Sequence, residues 1–429
     1  MKIKEILKKQ IEKIKPDEKG FKDLEKKTNE LIDKLGKEIK KRKIKADVFL
    51  GGSLAKKTIL RKDNYDIDIF VRFDKKYKDD EISDLLARVV KGTRIHGSRD
   101  YFQVKQGKIT FEVIPVIKIL KAKEARNVTD LSYFHVSYVK NNIKKNPRLA
   151  NEILLAKLFC YANNAYGAES YIKGFSGYAL ELLIIYYKGF LNFIKAINKA
   201  KEQIILDPEK HYKNRQEILL QLNEAKLASP IVFVDPTFKE RNTLAALSKE
   251  TFEKFKIICK NFLKKPSTAF FEEKRIDRKN YNLILEVRTN KQEGDIAGSK
   301  LKKFFGFLDF ELGKYFEVDG KDFEYDGKKK ANLYFKIKAK KEIILTGPPI
   351  NDVENVLSFR KKHKNVFIKN SRVYAKEKIN LTASGFVNKF KKDNKKRMKE
   401  MGIISLKWGL ADFLFFYSSA LNSSNILVI

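Results

Sequence analysis

Two carboxylates one residue apart, in a segment otherwise built to be buried, constrain this chain more than any other feature. Asp66-Ile67-Asp68 opens the β-rich run Ile67 to Phe73. In a strand, residues i and i+2 share a face, so Asp66 and Asp68 point together while Ile67 and Ile69 turn to a core. Adjacent carboxylates repel unless a cation lies between them, and a hard, oxygen-seeking Mg²⁺ carrying a triphosphate is the natural occupant. Upstream, the run Asp47-Val48-Phe49-Leu50 ends in Gly51-Gly52-Ser53-Leu54-Ala55-Lys56-Lys57-Thr58. A strand that closes in Gly-Gly-Ser and opens a helix can bring backbone N–H groups and a hydroxyl against a phosphate. Lys56 would add a point charge, although a plain strand-to-helix turn reads the same residues equally well. A two-metal site usually draws a third carboxylate from a neighbouring strand. In Thr110-Phe111-Glu112-Val113-Ile114, Glu112 lies on the face opposite Phe111 and Val113.

Around this α/β region the pattern changes. Residues 1–44 place Ile, Leu and Phe at three- and four-residue spacing, with Pro16-Asp17-Glu18 at a helix start, so two helices open the chain. Residues near Asp80 to Val90 read as a helix and Ile109 to Ile114 as a strand. From Asn151 to about Phe262 the spacing is helical almost throughout, interrupted at Ser229-Pro230 and Asp235-Pro236. Strands return after Arg275, at Leu283 to Val287 and Leu333 to Ile337, with a helix at Asp352 to His363 and a hairpin over Val366 to Tyr374. These patterns predict an α+β multidomain protein. Its regions are 1–135, α/β after two opening helices, 136–270, mainly helical, and 271–429, an α/β body and tail.

The sequence carries 91 Lys+Arg against 54 Asp+Glu, a formal charge of +37, in 429 residues. Lysine enrichment of this kind arises from an AT-rich genome or a hot habitat as well as from a polyanionic partner. Interleaving favours the partner: Lys302-Lys303-Phe304-Phe305, and Lys328-Lys329-Lys330 followed by Tyr334-Phe335, mix cations with rings as surfaces that track phosphates and stack bases do. At 43% hydrophobic and 12% aromatic, the chain is not disordered throughout. Cys160 and Cys259 lack CxxC or HxC companions and read as small buried hydrophobes, which excludes a disulfide scaffold. No apolar stretch reaches the roughly 18 residues of a membrane span. Tyr178 to Ile194, broken by Glu181 and Lys188, reads as a buried helix, and Met1 to Lys9 lacks a signal-peptide core. A cytoplasmic location is the expectation.

With these residues in view, the sequence resembles the polymerase-β-like nucleotidyltransferases, whose signature is Gly-Gly-Ser, Asp-x-Asp and a later strand carboxylate. Further segments narrow the resemblance to the archaeal-type (class I) CCA-adding enzymes, the tRNA nucleotidyltransferases. They are Phe134-His135, Tyr166-Gly167-Ala168-Glu169, Lys173-Gly174-Phe175-Ser176-Gly177-Tyr178, Val234-Asp235-Pro236 with Arg241-Asn242, and Gly347-Pro348-Pro349 with Glu354-Asn355-Val356, in the family's order. The resemblance implies a polymerase-β-like palm, a helical central domain and a C-terminal region that holds tRNA. It implies that Asp66, Asp68 and Glu112 hold two Mg²⁺ ions, that Ser53 and Lys56 meet the triphosphate, that Ser132, His135, Lys157 and Tyr166 line the nucleotide site, and that Arg241 faces the incoming base. Lys56 stands where the family more often has arginine, Glu112 where it has aspartate, and Ser132 where it has threonine. Where many members place a histidine before the third carboxylate strand, Arg99 fits by spacing and His96 competes with it. The activity implied is untemplated addition of C, C and A to the tRNA 3′ end from CTP and ATP. Two alternatives remain: a poly(A) polymerase or other enzyme on the same fold, and a basic RNA-binding protein without activity. The oligomeric state, a homodimer included, is open.

Overall fold

The computed structural model describes residues 3–408 and is α+β throughout. The end of the predicted tail, 409–429, lies outside the described residues. Two compact units divide the chain, Met1–Lys274 and Arg275–Ile429.

The first unit has two cores. One lies under a five-stranded sheet in the order Ala46–Leu50, Tyr65–Phe73, Ile109–Ile117, Tyr101–Gln106, Thr93–Ile95. Only the central pair, Tyr65–Phe73 and Ile109–Ile117, is parallel. The Glu18–Lys41 helix starts where Asp17 accepts the Gly20 N–H at 2.6 Å, and it buries Leu24, Thr28, Leu31, Leu35 and Ile39. That spacing of three and four residues is one helical face, and its leucines join Ile67, Ile69, Phe111 and Val113 in the core. The other core is helical, built on Arg148–Ala162, Gly177–Tyr187, Phe190–Lys199 and Lys249–Lys264. The two opening helices part company, because Ile6 and Leu7 of Ile3–Ile14 join this helical core. Cys160 and Cys259 are both buried in it.

Two elements differ from the sequence expectation. Tyr178 to Ile194 is two helices, split where Lys188 takes a left-handed conformation (φ 56°) ahead of Gly189. Within the stretch that reads as helical, Ile204–Leu206, Ile231–Asp235 and Phe238–Asn242 form a three-stranded sheet. Every residue of Ile231–Asp235 is buried, so the strand has no polar alternation to separate it from a buried helix. Asn242 secures it, its Oδ1 accepting the Phe233 and Leu244 N–H groups at 3.0 and 2.9 Å.

The second unit contains an antiparallel sheet ordered Phe316–Tyr325, Lys330–Ala339, Leu283–Thr289, Ile403–Trp408, packed with the Asp295–Gly313 and Ala383–Asp393 helices. A smaller sheet, Glu342–Pro349, Arg372–Lys378, Val366–Lys369, accompanies the Val353–Lys362 helix, and its hairpin turns at Asn370 and Ser371. The interleaved aromatics are not a stacking surface: Phe304, Phe305, Tyr334 and Phe335 are all core residues. At helical and strand periodicity, alternation with lysine marks the buried face of an amphipathic element, and only the cations of those segments remain outside. Among the described residues no helix is long and apolar enough to cross a membrane.

The helical core centres on Phe159, fully buried, with the rings of Phe190, Phe255, Phe262, Phe270 and Phe271 at centroid distances of 5.3–6.4 Å. Phe159→Ala is expected to destabilise the first unit by about 3–5 kcal/mol, a cavity cost that urea unfolding followed by circular dichroism will measure.

Candidate active site

The register of the parallel strands builds the site. Asp66 pairs with Thr110, Ile67 with Phe111 and Asp68 with Glu112. The buried members Ile67, Ile69, Phe111 and Val113 face the core, which turns the three carboxylates to the other surface of the sheet. Glu112 is also opposite Gln103 on the next strand, whose amide donates to its Oε1 at 3.0 Å.

The Gly51-Gly52 turn sits directly on this face. The Gly51 N–H donates to the Asp68 carbonyl at 2.9 Å. Gly52 adopts φ +57°, and a Cβ there would come within 1.8 Å of Asp68 Oδ2. A side chain at 52 would therefore be strained in its backbone and would displace the carboxylate. Ser53 follows in the single helical turn Gly52–Ala55.

The electrostatics are those of carboxylates that repel one another. Burial raises the Asp68 carboxyl above its ordinary value, Asp66 pushes the same way, and Lys56 and Lys157 oppose them. Glu112 is pushed up to about 7 by burial and by the charges of Asp68 and Asp66, against the Gln103 hydrogen bond. Burial and the same three carboxylates raise the Tyr101 hydroxyl. No three His, Cys, Asp or Glu side chains among the described residues close into a metal-ligand set. Asp66, Asp68 and Glu112 nevertheless supply hard oxygen donors on one face, a donor set that fits a divalent cation.

Beside the carboxylates lies a buried ion cluster that sequence reading left out. Glu181 is wholly buried, and its carboxylate accepts from Lys56 Nζ at 2.6 Å, Lys157 Nζ at 2.8 Å and Thr58 Oγ1 at 2.8 Å. Lys157 also donates to the Thr58 carbonyl at 3.1 Å. Burial by itself would raise Glu181, but the two lysines reverse this and hold it down at about 2. Tyr166 is close enough to Glu181 and Asp68 for both charges, after burial, to raise its hydroxyl. Its hydroxyl also fills the space over Gly177, where a Cβ would lie 2.8 Å away.

A second cluster assembles around Asp235, which is also fully buried. Arg241 Nη1 donates to its Oδ2 at 2.9 Å, His135 Nε2 lies 3.1 Å from the same oxygen, and Tyr178 Oη donates to its Oδ1 at 3.2 Å. The His135 ring stacks on Tyr178 at 4.1 Å. Burial lowers the His135 imidazole past the opposing pull of Asp235, with Arg241 and Lys56 adding to the effect. His135 and Ser132 belong to the Ser132–Lys145 helix, one turn apart. Arg241 keeps a quarter of its side chain exposed.

Arg99 and His96 each bind other carboxylates. Arg99 is buried, donating to Asp130 Oδ1 at 2.6 Å and to Asp79, and Asp130 in turn accepts the Ile117 N–H at 2.8 Å. His96 is exposed, with Nδ1 2.8 Å from Asp100 Oδ1. Of the groups missed from sequence, Glu181 had a signal: a lone carboxylate in an apolar helix must meet a cation. Asp235 and Tyr178 stood within quoted motifs without a role, and Gln103 could be found only from register.

Comparison with known proteins places the chain. The profile described as "tRNA nucleotidyltransferase, second domain" matches residues 151–272, and that of the "Second Messenger Oligonucleotide or Dinucleotide Synthetase domain" matches residues 1–135. A CCA-adding enzyme of Nanoarchaeum equitans is 38% identical over 344 residues, covering 76% of this chain and 83% of that protein. The chain belongs to the archaeal CCA-adding enzymes. Another member, from Methanocaldococcus jannaschii, is 30% identical over 402 residues and covers 87% of each chain. Among solved structures, the Cid1 poly(U) polymerase aligns over 63% of this chain and 98% of its own, at 15% identity and a TM-score of 0.49. The Asp-x-Asp and Glu112 carboxylates, the glycine turn and both buried clusters all fall in the first compact unit.

The raised Glu112 carboxyl sets a pH dependence. Its folded value of about 7 exceeds the ordinary 4.5, so the folded state binds the proton more tightly and loses stability as pH rises from about 4.5 through 7. The loss is about 3 kcal/mol, and a divalent cation bound at these carboxylates would take the place of the proton above that window. Melting in EDTA is therefore expected to fall between pH 5 and 8, Mg²⁺ to restore it at pH 8 far more than at pH 5, and Glu112→Gln to flatten both responses.

Proposed function

We propose that this chain adds C, C and A in turn to the 3′ end of tRNA, using CTP and ATP and no nucleic-acid template, and releases pyrophosphate. The observation that carries the reading is the three-carboxylate face of the paired strands with the Gly52 turn seated against Asp68, in a member of the CCA-adding family.

The residues divide the work. Asp66, Asp68 and Glu112 would hold Mg²⁺, which supplies activation of the attacking hydroxyl and neutralisation of the leaving pyrophosphate. The terminal 3′-oxygen of the RNA attacks the α-phosphorus, a new P–O bond forms there, and the bond from the α-phosphorus to the bridging oxygen breaks as pyrophosphate leaves in line. Ser53, in the turn that follows the glycines, and Lys56 meet the triphosphate, and Lys157 lines the nucleotide site behind them. Ser132 and Tyr166 line the sugar side of the pocket. His135, its imidazole lowered by burial and its ring stacked on Tyr178, gives a flat wall beside Arg241. Arg241 presents a planar fork of donors held at one edge by Asp235, which suits it to distinguish C and A from U and G. The second unit, with its exposed lysines, would hold tRNA by backbone and shape rather than through stacked aromatics. A cytoplasmic location fits these substrates.

Labelled CTP and ATP with tRNA lacking its 3′ CCA form the test: addition of three defined nucleotides supports the reading, and homopolymeric tailing replaces it with a poly(A) polymerase. Asp66→Ala and Asp68→Ala are each expected to lower incorporation by more than about 100-fold while leaving tRNA binding in a gel-shift assay nearly intact. Arg241→Ala is expected to admit UTP and GTP with tRNA affinity retained, which misincorporation assays will read. For tRNA itself, log K should fall linearly with log salt by roughly 0.7–0.9 per phosphate contacted.

A further inference from the structure

The Gly177–Tyr187 helix is apolar except for Glu181, and that carboxylate is wholly buried. It meets two ammonium groups, Lys56 from the turn after the glycines and Lys157 from the Arg148–Ala162 helix, with Thr58 bridging them. Two cations on one anion leave the cluster with an excess positive charge. The cluster stands beside the carboxylates, because Lys56 follows within four residues the Gly52 turn that is seated against Asp68. Apolar packing generally stabilises a fold as well as a buried ion cluster does, so adhesion between two elements does not by itself account for one. An excess cation fixed beside three carboxylates matches a polyanion that must approach them. A single lysine on a flexible stem would otherwise spread its charge over many rotamers, whereas two ammonium groups sharing one carboxylate have defined positions.

We propose that Glu181 is a positioning residue for the triphosphate, fixing Lys56 and Lys157 side by side next to Asp68 so that their combined positive charge faces the phosphates of CTP and of ATP. The proposal rests on the reading of this site as a nucleotidyltransferase pocket. It differs from that reading in assigning phosphate affinity to a carboxylate, a group that by charge alone would repel the ligand. The base plays no part, so the effect must be the same for the two nucleotides and must appear with the inorganic phosphate chain alone.

Glu181→Gln keeps the shape, removes the charge and leaves one oxygen for two lysines. Its expected effect, from loss of charge-assisted hydrogen bonds, is about tenfold or more weaker binding of inorganic tripolyphosphate in the presence of Mg²⁺, measured by calorimetry on the full chain. The KM values for CTP and ATP should rise by the same factor, with the KM for tRNA unchanged and kcat changed less. Glu181→Asp, which keeps the charge, should recover part of the loss. Removal of a negative charge without any positioning role would tighten tripolyphosphate binding, so unchanged or tighter binding by E181Q overturns the inference. So does an equal loss in every kinetic constant that tracks a lowered melting temperature. If E181Q does not fold, Thr58→Val decides: it removes the bridging hydroxyl and keeps every charge, and about threefold weaker tripolyphosphate binding is expected, whereas no change overturns the proposal. A wild-type chain that binds no tripolyphosphate overturns the nucleotidyltransferase reading together with the inference, while a wild type that binds it and a folded E181Q that binds it equally overturn the inference alone.

Discussion

The parallel pairing of Tyr65–Phe73 with Ile109–Ile117 is the constraint on which the rest of the site depends. A slip of one residue would carry Glu112 into the core and Phe111 or Val113 out of it, because side chains alternate across a strand. The buried sets on both strands forbid that slip: Ile67, Ile69, Phe111 and Val113 are each at most 1% exposed. Hydrophobic burial on one face thus holds Asp68 opposite Glu112 on the other against their mutual repulsion. The antiparallel neighbour adds Gln103, and the strand ahead delivers the glycine turn to Asp68 through the Gly51 N–H.

A second constraint joins the sheet to the helices. The Lys56–Thr58 turn leaves the sheet region, whereas Lys157 and Glu181 come from two helices of the other core. Their meeting at one carboxylate fixes the helical layer against the catalytic sheet by charge-assisted bonds whose geometry is specific, in a place where apolar contacts would be adaptable. The Asp235 cluster does the same work further along, drawing His135, Tyr178 and Arg241 from three separate elements onto one buried anion. Both hubs are buried anions surrounded by donors, so the orientations of these polar groups are fixed by the fold itself.

Much of this was legible in sequence where a local rule suffices. The strand periodicity of Ile67 to Phe73 and of Ile109 to Ile114 placed all three carboxylates on a common face, and Asp17 marked the start of Glu18–Lys41. Reading failed where local patterns are degenerate. The buried Ile231–Asp235 strand resembles a helix, and the lysine-interleaved phenylalanines resemble a stacking surface although they are core. Arg99 fitted a catalytic spacing, but its guanidinium is bound to Asp130 and Asp79, which are thirty-one and twenty residues away in the chain.

The sequence by itself determined the chemistry of the site: the carboxylates, the glycines beside them, the lysines, and membership of a family through motifs spread along the chain. Those are properties of residue type and short-range alternation, which the backbone imposes wherever a strand or helix forms. Tertiary structure decided which charges neutralise which. Lys56 and Glu181 are 125 residues apart and His135 and Arg241 are 106 apart, so only packing brings them within hydrogen-bond reach. A buried ion is tolerated only with a partner at that range, and the partner is chosen by the cores that close around it.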